Sequence, residues 1–413
     1  MAVNWPGLVS IGVFYIIVLG TGIWASRKSK REEKKCSGNR SEVAMVGGRN
    51  LNICVSIFTM TATWVGGGYI LGSAEMVYDP TKGLVWAVAP LAFSMSLIIG
   101  ALFFVKPMRS KNYVTLMDPF QEKYGNKVSA VLFIPALIGD VLWIACILGA
   151  LGGTVSVVTD IHSWLAVIIS AAVAVLYTLM GGLYSVAYTD VIQLCFIIVG
   201  LWLCVPFILA SPSSANFTVA AVTKLHQEPW IGRLELEDAG RWVEDILLLA
   251  SEKLILMAVK VSVVLCGTAG AGLAMMTSSV HLFWIISSDV LYCMMAPQVI
   301  CIFYLSRWVN YLGACFGFVL ALLLRVLVGE PVIGLPDLMP LPWDKIQVDG
   351  TRYRLFPFRT AILLITLGTI FLVSRLAECL FEKRKLGSED ETDATCQEMK
   401  PMNKEQTNTS LDG

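Results

Sequence analysis

Charge is what this sequence has least of. Asp, Glu, Lys and Arg together make up 15% of its 413 residues, against roughly one quarter in an ordinary globular chain, which excludes a water-soluble domain as the bulk of the molecule. The two signs balance at 31 each, so net charge points neither to nucleic acid nor to an acidic partner. Histidine is nearly absent: His162, His226 and His281 have no metal-ligand spacing. No nucleophile elbow, Walker loop or His-Glu-x-x-His string occurs, so nothing marks the chain as an enzyme or as the holder of an organic cofactor. A basic residue is also missing ahead of the first apolar run, whereas Arg27, Lys28, Lys30 and Arg31 follow it. That is the reverse of a cleavable signal peptide, and the run reads as a retained span.

What is present is apolar. Hydrophobic residues account for 56% and the mean hydropathy is +0.69. Runs near the roughly 20 residues that cross a bilayer lie at about 7–25, 51–78, 84–105, 128–158, 164–183, 191–210, 254–276, 282–305, 308–328 and 360–380. The expected fold class is therefore an all-α polytopic membrane protein of about ten helices. Of the eleven cysteines, most, such as Cys54, Cys146, Cys195, Cys204 and Cys301, sit inside these runs without ligand spacing and read as small apolar filler.

The basic loops after the first span (Arg27 to Lys35) and after the third (Lys106, Arg109, Lys111) belong in the cytosol by the positive-inside rule. The N-terminus is then outside, as is the loop 211–241, which carries the glycosylation acceptor Asn216-Phe217-Thr218. Counting onward, the stub 242–250 with the span 254–276 makes one crossing, and the Glu382-Lys383-Arg384-Lys385 tail lands on the wrong side. Either the stub and its successor form a hairpin at Ser251-Glu252-Lys253, or an odd number of helices is missing near Ala250/Ser251. Residues 1–381 read as the membrane domain. The polar stretch 382–413, acidic and poor in aromatics beyond Leu386, reads as a disordered cytosolic tail.

The second span contains Thr59, Thr61, Thr63, Trp64 and the run Gly66-Gly67-Gly68. Three glycines cost roughly 1 kcal/mol each in helix propensity. They suit either a helix break, whose freed carbonyls coordinate Na⁺ near the midplane, or close helix packing by small residues. In the fourth span Asp140 and Trp143 share one helix face. A membrane carboxylate beside an aromatic face fits a permanent organic cation, whose attraction to each ring is roughly 0.5–2 kcal/mol; a kink cap, or a partner for a basic residue, is the alternative. Asp289, Lys260 and Arg325 are further charges inside apolar runs, read as structural pairs.

Long strings carry a resemblance. These are FTMTATWVGGGYI from Phe58, KPMRSK and MDPFQEKYG between Lys106 and Gly125, LFIPAL from Leu132, LYTLMGGLYSVAYTDVIQL from Leu176, LWLCVPF from Leu201 and SSDVLY from Ser287. Over nearly all of 1–381 the chain resembles the sodium/solute symporters and, within them, the choline-transporting branch. The resemblance implies one leading helix, then an inverted-repeat core of the LeuT type. It also implies Na⁺-driven, Cl⁻-dependent choline uptake for acetylcholine synthesis, at the plasma membrane and in presynaptic terminals and their vesicles. Association into homo-oligomers is left open.

Matched residue by residue, Trp64 and Trp143 look like cage members around choline, Phe93 stands where the family has Tyr, and Asp140 where it has Glu. Thr61 and Trp64 are similar to the first-repeat half of the sodium site. After Ala250 the family continues through a broken helix, another helix and a Ser- and Asp-rich helix that are absent here, which makes the core incomplete. The loss removes a further cage Trp and the hydroxyl half of the sodium site. A transport-deficient product is then expected, one that could associate with intact protomers as a regulator.

Overall fold

The computed structural model describes all residues except 1–3, 34–51, 80–81, 181–182, 213–230, 256–262, 276–278, 331–334, 347–351 and 399–413. The acceptor Asn216, His226 and Lys260 lie outside the described residues. The described chain is helical apart from one two-residue hairpin, β1 (Lys345–Ile346) antiparallel to β2 (Arg352–Tyr353).

The first helix, α1, is Trp5–Glu33. The second span is a pair, α2 (Ile53–Trp64) and α3 (Gly67–Tyr78), bent by 47°. The third runs through a short 3-10 turn (Leu84–Trp86), α4 (Ala89–Ile99), a π-turn (Gly100–Phe104) and α5 (Val105–Ser110). Then come α6 (Asp118–Thr159), α7 (Ser163–Met180), α8 (Leu183–Ala210), α9 (Ala239–Ile255) and α10 (Val263–Ala274). The next span repeats the pattern of the third: α11 (Val280–Val290), a π-turn (Leu291–Met295) and α12 (Ala296–Tyr304). Finally come α13 (Tyr311–Val328) and α14 (Phe358–Glu398). Seven described helices are long and apolar enough to cross a membrane, eight with the bent pair counted as one.

Local sequence explains the interruptions. Each π-turn is followed within three residues by a proline, Pro107 or Pro297, which lacks an N–H and displaces the carbonyl four residues back. For Pro107 that carbonyl belongs to Phe103, and it accepts the Tyr304 hydroxyl at 2.9 Å, so the lost backbone bond is replaced from α12. Helix α6 starts ten residues before the expected span. Asp118 takes the backbone N–H groups of Val114 and Thr115 at 2.6 and 3.0 Å, and the chain then kinks at Gly125 with φ +77°, a left-handed value that favours glycine.

Helices α11 and α12 form the most enclosed span, 83% buried. One apolar cluster joins it to the first half of α6 and to α13 and α14; a second joins α4, the later part of α6, α7, α9, α10 and α11. The buried charges of Asp289 and Arg325 are paired, as expected. The Arg325 Nε donates to Asp289 Oδ2 at 2.6 Å and its Nη2 to Glu330 at 3.0 Å. Arg359 approaches Asp289 at 3.5 Å and both Glu244 and Asp245 at 3.6 Å. This network ties α9 to α11, α13 and α14.

Two expectations need correction. The hairpin alternative holds in direction but not in place: its turn does not lie at Ser251-Glu252-Lys253, because α9 continues through them to Ile255, and Glu and Lys are good helix formers. The stub and its successor are also not one crossing. Helix α9 starts where Trp242 Nε1 donates to Val85 O (2.8 Å) and Glu244 accepts the Thr360 N–H (2.7 Å). Helix α10 starts at the other side: Gly267 abuts Val175 late in α7, Gly270 abuts Ile144 and Ala145, and the chain emerges at Ser279, whose hydroxyl donates to Glu75 near the end of α3 (2.6 Å). The two helices run in opposite directions, and the parity clash disappears. At the other end, α14 runs on as helix to Glu398, past the 381/382 boundary, since extending an anchored helix costs far less than nucleating one.

Candidate functional site

The glycine run both interrupts the helix and allows close packing. The helix breaks at Val65 and Gly66, where Gly66 is extended (φ −99°, ψ −172°). Among the described residues, no backbone N–H reaches the carbonyls of Ala62, Thr63, Trp64 or Val65, the orphan acceptors of a helix end. Gly68 and Gly72 are packing residues: a Cβ at Gly68 would lie 2.8 Å from Cys146 Sγ, and one at Gly72 3.0 Å from the Trp284 ring.

Around the break stands an aromatic cluster. Trp64 meets Phe93 edge-on with centroids 5.4 Å apart, and Tyr69 stacks on Phe93 at 5.5 Å. Phe93 touches Trp284 at 5.6 Å, and Trp284 touches Trp143 at 6.1 Å and His281 at 6.3 Å. Four spans, α2–α3, α4, α6 and α11, thus contribute rings to one continuous group. The rings pack directly on one another, so a cation bound at ring-face distance, within about 6 Å of each centroid, has room only on an open side. That side is a cleft of about 530 Å³ between α2 and α4, lined by Thr61, Trp64, Tyr69 and Phe93 with Ser56 and Ser94.

Of the residues singled out in the sequence, Thr61, Trp64 and Phe93 meet in this cleft. Trp143 does not line it and joins through Trp284; Asp140, half-buried one turn before Trp143, does not line it either. The Thr61 hydroxyl donates to Ile57 O at 2.9 Å and the Thr63 hydroxyl to Thr59 O at 2.8 Å, which leaves their oxygen lone pairs available to a cation. Thr59 donates to Ala187 O of α8 at 3.1 Å. Three residues further along α8, Asp190 is 9% exposed, with one carboxylate oxygen that has no hydrogen-bond partner among the described residues.

Comparison with known proteins gives this geometry a context. Residues 45–327 match the profile of the sodium:solute symporter family. The human high affinity choline transporter 1 is 34% identical over 510 aligned residues, covering 94% of this chain and 87% of that protein. The Drosophila melanogaster and Caenorhabditis elegans proteins of the same name are each 31% identical over 510, covering 93% of this chain. The chain belongs to the sodium:solute symporter family.

Members of this family are sodium-coupled transporters, so the chain is a multi-pass membrane protein of a transport family and not an enzyme. A solved structure of a substrate-bound, outward-open Na⁺-coupled sialic acid symporter also matches, with 13% identity, a TM-score of 0.46, and coverage of 94% of this chain and 82% of that one. The alignment to the human relative spans 510 positions while 94% of 413 residues are used, so about 120 aligned positions face no residue of this chain. The family relationship therefore carries an internal absence.

Sequence reading missed Trp284, Tyr69 and Asp190. Asp190 carried a signal, since an ionisable residue within a span is a functional candidate by default. Trp284 and Tyr69 carried none beyond being aromatic in apolar runs.

Proposed function

We propose that this chain recognises choline at the cleft beside the α2–α3 break and carries it across the plasma membrane with sodium. The observation that supports this reading most is the continuous cluster of Trp64, Tyr69, Phe93, Trp284 and Trp143 around a break with unpartnered carbonyls. A trimethylammonium group cannot donate hydrogen bonds, so recognition falls to ring faces and to a carboxylate at longer range. Phe93 supplies a π face without a hydroxyl. Asp140, behind the cluster, supplies the balancing charge. The carbonyls of Ala62 to Val65 with the Thr61 hydroxyl form the first-repeat part of a sodium site, and Asp190, three residues along α8 from the Thr59–Ala187 contact, is a candidate carboxylate for it. Chloride dependence, supply of acetylcholine synthesis, presynaptic residence and glycosylation at Asn216 belong to the same reading. The test is sodium-dependent uptake of labelled choline by cells that display the chain at their surface, with Phe93→Ala as the loss-of-site variant.

A second reading is favoured by one observation. Helix α2 has no buried residue, and about 120 aligned positions of the human relative have no counterpart. Bare carbonyls facing hydrocarbon cost several kcal/mol each, so the open side of α2 calls for water or another helix. A helix from a longer family member would meet that need, and the chain would then act as a non-transporting partner. Co-expression separates the readings: reduced uptake by the longer protein, with co-purification, favours the second.

A further inference from the structure

The ring faces of the cleft account for only half of the ligand proposed for it. Choline carries a hydroxyl two carbons from its ammonium group, and an aromatic face attracts it no more than an ammonium ion with a plain alkyl chain. A group that can both donate and accept a hydrogen bond would make the distinction. Tyr69 is such a group. It stands in the first turn of α3, just past the break, half-buried, with its ring stacked on Phe93 at 5.5 Å and 27°. It lines the cleft together with Trp64 and Phe93. Its hydroxyl makes no hydrogen bond among the described residues and is not one of the polar atoms closed to water.

The other polar groups of the cleft are committed or out of reach. The Ser94 hydroxyl donates to Pro90 O at 2.8 Å, which leaves it able only to accept. Thr61 likewise donates to Ile57 O and belongs to the sodium-binding end of the break. The Trp64 indole N–H only donates, and Phe93 offers a face without a polar atom. Ser56 lies more than two turns of α2 before Trp64, away from the ring cluster. We propose that Tyr69 is the specificity-determining residue of the cleft: its phenol hydrogen-bonds the hydroxyl of a ligand whose ammonium group rests against Trp64 and Phe93. This rests on the choline reading of the cleft and adds what selects the ligand there. A hydroxylated ligand keeps the Tyr69 oxygen satisfied once it has displaced water from the cleft. An alkyl chain of the same length leaves that oxygen without a partner.

The experiment measures two affinities on the purified full chain in nanodiscs with sodium present. One is that of labelled choline; the other is that of propyltrimethylammonium as its competitor, in which a methyl group replaces the choline hydroxyl. The unaltered chain should prefer choline by about tenfold, the difference between a hydrogen bond kept and one left unmade. Tyr69→Phe keeps the stacked ring and should erase that preference, weakening choline about tenfold while propyltrimethylammonium binds as before. A preference that survives Tyr69→Phe overturns the proposal, as does equal weakening of both ligands, or a preference lost in Ser94→Ala instead. Phe93→Ala separates this proposal from the choline reading of the cleft. Loss of both ligands in Phe93→Ala upholds the cleft as the site, and the ratio in Tyr69→Phe then decides the role of the hydroxyl alone. Choline binding that is indifferent to Phe93→Ala, or missing from the unaltered chain, overturns both.

Discussion

The indole of Trp284 lies across the ring of Phe93, centroids 5.6 Å apart and planes at 56°. This contact joins α11 to α4, two spans nearly 200 residues apart in the sequence. Trp284 is 1% exposed and also supports Trp143. Removing it should both open a cavity and free the rings. Trp284→Ala is expected to cost about 3–5 kcal/mol of stability, read as a lower detergent melting temperature, and to weaken choline binding together with it. An unchanged melting temperature would contradict the packing described.

Asp289 is shared by two arginines. Asp289→Asn leaves Arg325 and Arg359 short of a buried counter-charge and should cost about 3–5 kcal/mol. Arg325→Met alone should cost less, because Arg359 still reaches Asp289 at 3.5 Å. A double-mutant cycle on melting temperature measures the coupling. Additive effects would mean that the pair does not act as a unit.

The glycine at the break tests a separate point. Gly68→Ala would place a Cβ 2.8 Å from Cys146 Sγ, and overpacking of this kind costs about 1–3 kcal/mol. Cys146→Ala in the same chain should recover most of the loss, and failure to recover would locate the clash elsewhere.

Opposed directions for α9 and α10 predict that a single cysteine at Ser251 is labelled from the cytosolic side and one at Met275 from outside. Labelling of both from one side would restore the single-crossing count.

Much of this architecture can be read from the residues themselves. The spans follow from hydropathy, and the break at Val65 and Gly66 from three glycines among hydroxyls, because both signals are local. That Asp289 and Arg325 are each paired follows from the cost of a lone charge in lipid, although their partnership with each other does not. What could not be read depends on tertiary placement. Glu252 and Lys253 look like loop residues but extend α9, since each helix end is set by what its neighbours bury. Trp284 is indistinguishable in sequence from any core tryptophan, and only the packing of α11 against α4 makes it the centre of the cluster. Asp140 and Trp143 stand one turn apart on α6, yet neither lines the open cleft.

The central claim is that the Trp64, Tyr69 and Phe93 cleft is a choline site in a sodium-coupled carrier. The most direct measurement is labelled choline uptake with and without sodium in cells expressing the chain, with surface biotinylation and the Phe93→Ala variant in parallel. The account predicts saturable, sodium-stimulated uptake that falls by about tenfold or more in Phe93→Ala at equal surface level. Uptake that is indifferent to Phe93→Ala, or a surface-exposed chain that neither takes up nor binds choline, would contradict it.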